Sequence, residues 1–115
     1  MRDNMLNDIY KELDEKQADD ILILEVANVT SIAEYFVIAS ADNERKVKAI
    51  ADSIEDTLAK MGIEPKAREG FESARWILLD YGDIIVHIFK DDERSFYKIE
   101  KIFKDATDIT SEFVN

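Results

Sequence analysis

Among 115 residues the chain has no cysteine, one proline, three glycines and one histidine. Each shortage removes a class of chemistry. Without thiols there is neither a disulfide nor a thiolate metal site. His87 is the lone histidine, so a multi-histidine metal centre is excluded. Gly62, Gly70 and Gly82 stand apart from one another and cannot form the glycine-rich loop that cradles phosphates ahead of a helix. So few glycines and prolines also leave little room for long flexible linkers. No apolar run approaches the roughly 20 residues of a membrane helix. No basic segment followed by an apolar stretch opens the chain as a signal peptide would. A soluble, cytoplasmic protein without a membrane partner is expected.

Cations are also scarce. Fifteen basic against 26 acidic side chains give a formal charge of −11. Such a surface repels phosphates, which argues against direct DNA binding, and it suits a basic protein partner whose approach the field would speed. Acidity also serves solubility, so the charge excludes more than it assigns. The length fits one domain over residues 1–115 with a single core, and 46% hydrophobic content is ordinary for a folded protein.

Met5, Leu6, Ile9, Tyr10 and Leu13 recur at helical spacing over residues 2–14. Their stripe can pack on the domain or on a second copy. ILILEV (21–26) and YFVIAS (35–40) have strand length and strand composition. The first run looks covered on both sides, and the short segment between the two predicts antiparallel neighbours. A long helix follows over about 43–61, with Asp42 as its N-cap, Gly62 at its left-handed end and Val47, Ile50, Ala51, Ile54, Leu58 and Met61 on one stripe. Residues 65–70 make at best a charged edge strand. Asp91 to Glu93 can cap a last helix over 95–104, in which Phe96, Ile99, Ile102 and Phe103 share a face and Glu100 can pair with Lys104. Residues 106–115 are expected to fray, with Ile109 and Phe113 as tethers. This order predicts an α/β (α+β) domain built on a single sheet.

The centre of the chain is WILLDYGDIIVHIF, residues 76–89. Gly82-Asp83 suits a two-residue hairpin turn, which sets Trp76 opposite Phe89 and Tyr81 opposite Ile84. Alternation then separates two faces. Ile77, Leu79, Tyr81, Ile84, Val86 and Ile88 form an aliphatic one, which reads as core. Trp76, Leu78, Asp80, Ile85, His87 and Phe89 form the other, where aromatics sit among ionisable groups. Either a second layer of the domain covers that face, with Asp80 and His87 as a satisfied polar pair, or it is left open as a binding hot spot.

Catalytic chemistry finds little support. His87 lies mid-strand and no G-x-S-x-G is present. Asp80 and Asp83 flank a tight turn and are expected to point apart rather than to share a metal. No calcium-loop spacing occurs. Neither a catalytic residue nor a cofactor is expected.

WILLDYGDIIVHIF followed by ERSFYKIEKIF closely resembles the Iojap family, the bacterial ribosomal silencing factors; TSIAEYFVIAS and RKVKAIAD are similar to its other shared blocks. Together they span about Ile21 to Ala106. Glu34, Ala41 and the pair Ile102-Phe103 depart from the family's usual residues, and Ala41 bears on the loop before the long helix. The resemblance implies a nucleotidyltransferase-like fold, a mixed sheet with helices mainly on one face. It also implies a protein without enzymatic activity that binds the large ribosomal subunit through protein L-fourteen, blocks joining of the small subunit and lowers translation when nutrients are scarce. On that basis Trp76, Leu78, Asp80, Ile85, His87 and Phe89 are expected to include the centre of the docking patch, with Tyr81 at its rim. Arg94, Tyr97 and Glu100 match the block after the hairpin, either as partner contacts or as ties holding the last helix. The rival is a nucleotidyltransferase acting with magnesium, but such enzymes need a Gly-Ser pair opening the helix and a D-x-D pair on a strand. Here Ser40-Ala41-Asp42 opens the helix and no D-x-D follows. A small-ligand sensor is a weaker third reading. The N-terminal helix and an open sheet face both permit a homodimer.

Overall fold

The computed structural model describes residues 2–113. In chain order the elements are α1 (Arg2–Glu15), β1 (Asp19–Glu25), β2 (Tyr35–Ala41), α2 (Glu44–Ala59), β3 (Ala67–Glu69), β4 (Trp76–Asp80), β5 (Ile84–Lys90), α3 (Asp91–Tyr97), α4 (Ile99–Ile102) and β6 (Thr107–Asp108). The strands form one mixed sheet in the order β3-β4-β5-β2-β1-β6. Only β2 and β5 run parallel, with Tyr35 beside Ile84 and Ala41 beside Lys90. All other pairs are antiparallel. A parallel pair needs a long crossover, which α2, β3 and β4 supply. The fold is therefore α+β on a single sheet, and β2 at its centre is buried along its whole length.

α1 and α2 cover one face. Leu6, Ile9 and Leu13 of α1, with Val47, Ile50, Ile54 and Leu58 of α2, pack on Val37, Ala39, Ile77, Leu79, Val86 and Ile88. Apolar residues three and four apart share one side of a helix, and alternate strand residues share one side of a sheet. The stripe of α1 is thus used inside the domain. Asn43, not Asp42, caps α2: its backbone is extended and its side chain accepts from the Lys46 N–H at 2.8 Å. Asp42 instead accepts from the Asn43 amide group. With the first turn at Glu44, only a side chain at position 43 reaches the free N–H three residues on. The far end closes at Gly62, where φ is +79° and paired bonds run from Gly62 N to Ala59 O and from Ile63 N to Leu58 O.

Three local expectations change. β1 is covered on both sides only at Ile23 and Leu24, because a bulge with Asp20 at φ +48° shifts the register and β6 pairs only with Leu24 and Glu25. The tail is not frayed through residue 113. Thr107–Asp108 add a strand, Ile109 N donates to Ile23 O, and the Phe113 ring lies 6.5 Å from that of Tyr10; the expectation for residues 114 and 115 lies outside the described residues. The last helix is two pieces, since Lys98 takes a left-handed conformation (φ 49°, ψ 49°). That residue turns the chain, so helical periodicity does not carry from Phe96 to Ile99. Ile99 and Phe103 pack inward, whereas Phe96 is 78% and Ile102 69% exposed. Glu100 meets Arg94 and does not pair with Lys104.

Candidate functional site

The hairpin register follows from its turn. Trp76 stands opposite Phe89, Leu78 opposite His87 and Asp80 opposite Ile85. The Tyr81 N–H donates to Ile84 O at 2.9 Å, closing a two-residue turn over Gly82 and Asp83. Asp80 shapes that turn by accepting from the Gly82 N–H at 2.8 Å. It does not pair with His87. Gly70 fixes the start of β4 in turn. At φ +86° its missing Cβ would lie 2.0 Å from Trp76 O, so only glycine lets the chain pass there.

The face turned away from α1 and α2 is half covered. Ile99, Phe103 and Ala106 pack over Leu22, Leu24, Phe36 and Ile38, above β1 and β2. Ile85, His87 and Phe89 of β5 lie under cover too, with Phe89 at 0% and His87 at 4% exposure. Phe89 therefore backs the Trp76 ring, stacked 4.7 Å away, and offers no surface of its own. Along β4 the cover stops, and Trp76, Leu78 and Asp80 are each half-buried. Within the hairpin, the bareness expected of this face applies to the β4 row alone.

Rings connect the covered half to the open one. Phe103 lies edge-on to Phe36 at 4.8 Å, and Phe36 meets the His87 imidazole at 4.7 Å. Trp76 contacts Tyr97 at 5.1 Å, and Tyr97 contacts Phe96 at 5.1 Å. Both rings of this last pair are exposed, Phe96 more than Tyr97. Periodicity predicts Phe96 on the inner face; the break at Lys98 moves it outward.

Two of the polar groups are held internally. The Trp76 indole N–H donates to His87 Nδ1 at 3.2 Å. Burial lowers the His87 pKa to about 4, so the imidazole is neutral near pH 7. Among the described residues its Nε2 has no hydrogen-bond partner. Arg94, almost fully buried, donates to Ser40 Oγ at 3.1 Å and to Asp19 O and Glu100 at 3.4 Å. It ties α3 to the ends of β1 and β2.

Tyr81 keeps the aliphatic face expected of it but not the rim. Its side chain packs with the core on the helix-covered side, as alternation with Leu79 dictates, and cannot form the rim of the β4 row. Burial first, then the charges of Glu55 and Glu64, push its pKa up to about 12.

Among the described residues no three His, Cys, Asp or Glu side chains gather as metal ligands would, and no helix is long and apolar enough to cross a membrane. A cleft of about 290 Å³ lies at the end of β2, lined by Ser40, Arg94, Lys98 and Lys101 together with Asp20, Asp91 and Glu100. Carboxylates and cations alternate there, so it favours no one charge.

Comparison with known proteins gives one consistent answer. The family model described as "Ribosomal silencing factor during starvation" matches residues 2–115. The chain is 45% identical over 93 residues to the ribosomal silencing factor of Bacillus subtilis, covering 81% of this chain and 79% of that one. It is 31% identical over 105 residues to the chloroplastic protein Iojap of Zea mays, covering 91% of this chain and 46% of the longer plant protein. A crystal structure of a protein from Chromobacterium violaceum superposes with a TM-score of 0.85 at 30% identity, covering 89% of this chain and 85% of the other.

Proposed function

Because the chain belongs to the ribosomal silencing factor family, a family of ribosome-associated translation regulators, we propose that it docks through its β4 row on protein L-fourteen of the large ribosomal subunit. The bound domain then occupies space that the small subunit must enter, and translation falls. The observation that carries this reading is the row itself: Trp76, Leu78 and Asp80 half-open on a sheet edge region, extended by the exposed rings of Tyr97 and Phe96. An aromatic centre with an acid beside it, on a chain of charge −11, fits a basic protein surface. Trp76 and Leu78 supply apolar contact. Asp80, half-exposed beyond its bond to Gly82, is placed to meet a Lys or Arg of the partner. Ile85, His87 and Phe89 act from beneath, holding the row in shape.

A pull-down with isolated L-fourteen tests the partner. Sucrose-gradient profiles test the outcome: added protein should leave free subunits where couples formed before. Unchanged joining with protein in excess over large subunits would refute silencing by occlusion. A homodimer through the same row would compete with docking, so dilution should strengthen binding per chain if such a dimer forms. The enzyme reading would gain from turnover of a nucleoside triphosphate with magnesium.

A further inference from the structure

The chain has one tryptophan and one histidine, and the structure joins them. Trp76 sits where a partner would land, yet its only polar atom points inward to His87 Nδ1 at 3.2 Å. The imidazole is clamped in turn. Phe36 lies against it at 4.7 Å, Phe89 stacks at 6.2 Å, and its cross-strand and parallel-strand neighbours are Leu78 and Ile38. No charged group contributes to its lowered pKa, which burial alone accounts for. Among the described residues no side chain serves its other nitrogen.

A buried polar group normally persists only when hydrogen-bonded, and here one nitrogen is spent on the tryptophan while the other goes unmatched. Leucine or phenylalanine at position 87 would fill the space without that cost. We propose that His87 is a positioning residue for docking: its Nδ1 fixes the Trp76 indole on the open row, so the partner is met by the ring surface and not by the indole N–H. The patch that receives Trp76 must then be apolar, or a cation lying over the ring, because a hydrogen-bond acceptor there would find its donor already taken. This inference rests on the docking reading above and specifies the chemistry of its centre.

The test reads Trp76 first in the free protein, where the single indole gives an unambiguous NMR N–H signal and fluorescence emission. In wild type the indole N–H should exchange slowly with solvent. His87→Leu should keep the fold but free the N–H and shift the emission. Binding to isolated L-fourteen should weaken by about threefold to tenfold, the cost of ordering one freed side chain. His87→Asn, whose amide oxygen can stand near the Nδ1 position, should recover slow exchange and most of the affinity. Unchanged exchange or unchanged affinity in His87→Leu overturns the proposal, as does an Asn variant that restores neither. If His87→Leu does not fold, wild type is titrated through about pH 4, where a protonated Nδ1 can no longer accept; Trp76 signals indifferent to His87 protonation would be equally fatal. Wild-type protein that shows the bond but fails to bind L-fourteen refutes the docking reading instead, which keeps the two failures apart.

Discussion

The two faces of the sheet are made by the same strands and serve opposite ends. On the helix-covered face every strand contribution at the centre is aliphatic and closed: Val37, Ala39, Ile77, Leu79, Val86 and Ile88 pack on two helices with no exposure. On the other face the same β4 and β5 present Trp76, Leu78, Asp80, Ile85, His87 and Phe89, and only the short helices α3 and α4 and the segment after them cover them in part. Burial explains the first set completely. It leaves unexplained why the second contains an imidazole under cover and a tryptophan at the margin. The contrast teaches that a face can be built from core-sized side chains and still stop short of closure, here along β4.

That contrast can be broken most forcefully from the closed side. Leu79→Ala removes a fully buried side chain between sheet and helices and should cost about 3 kcal/mol in denaturant unfolding. Leu78→Ala, one residue away on the half-open row, should cost clearly less stability while weakening L-fourteen binding. Equal losses of stability would erase the distinction between the faces.

Acid should act on the partly covered face at a similar scale. The His87 pKa is about 4 in the folded protein against an ordinary 6.5, so the unfolded chain binds the proton first as pH falls. Stability from this group is whole above about pH 6.5 and is lost progressively towards pH 4, by about 3 kcal/mol in total. His87→Leu should flatten that part of the stability–pH curve measured by chemical unfolding. A curve of the same slope in the variant would show that the imidazole is not held neutral by burial.

Smaller effects belong to the row itself. Trp76→Ala, judged folded by circular dichroism, should lose about 2 kcal/mol of affinity for L-fourteen or more. A folded variant that binds as well as wild type would remove Trp76 from the interface. Asp80→Asn keeps the acceptor for the Gly82 N–H and removes the charge, so it should lower the association rate and its salt dependence, at a cost of about 1 kcal/mol or less. The hairpin turn should survive that change unaltered.

Much of this architecture was legible in the residues. The apolar stripes of α1 and α2 at three-and-four spacing, the alternation along residues 76–89 and the Gly82-Asp83 turn placed the helices, the hairpin register and the two faces correctly. The shared blocks likewise pointed to the family that the comparisons establish. Local features outside the reach of periodicity were lost. Asp42 and Asn43 are both good caps, and only the position of the first helical turn chose Asn43. The parity of Tyr81 with Leu79 puts it on the closed side, away from the rim expected of it.

What the sequence determined by itself is therefore the pattern: which side chains share a face, where the chain turns, and how acidic the whole surface is. Such properties depend on neighbours a few residues apart, and the backbone's periods of 2 and 3.6 read them directly. What only the tertiary structure decided is coverage. A single left-handed residue, Lys98, breaks the last helix, so Phe103 closes over Phe36 while Phe96 and Tyr97 swing outward beside Trp76. The bond from Trp76 to His87 belongs to the same class, because it joins residues 11 apart through a register that the folded sheet alone fixes.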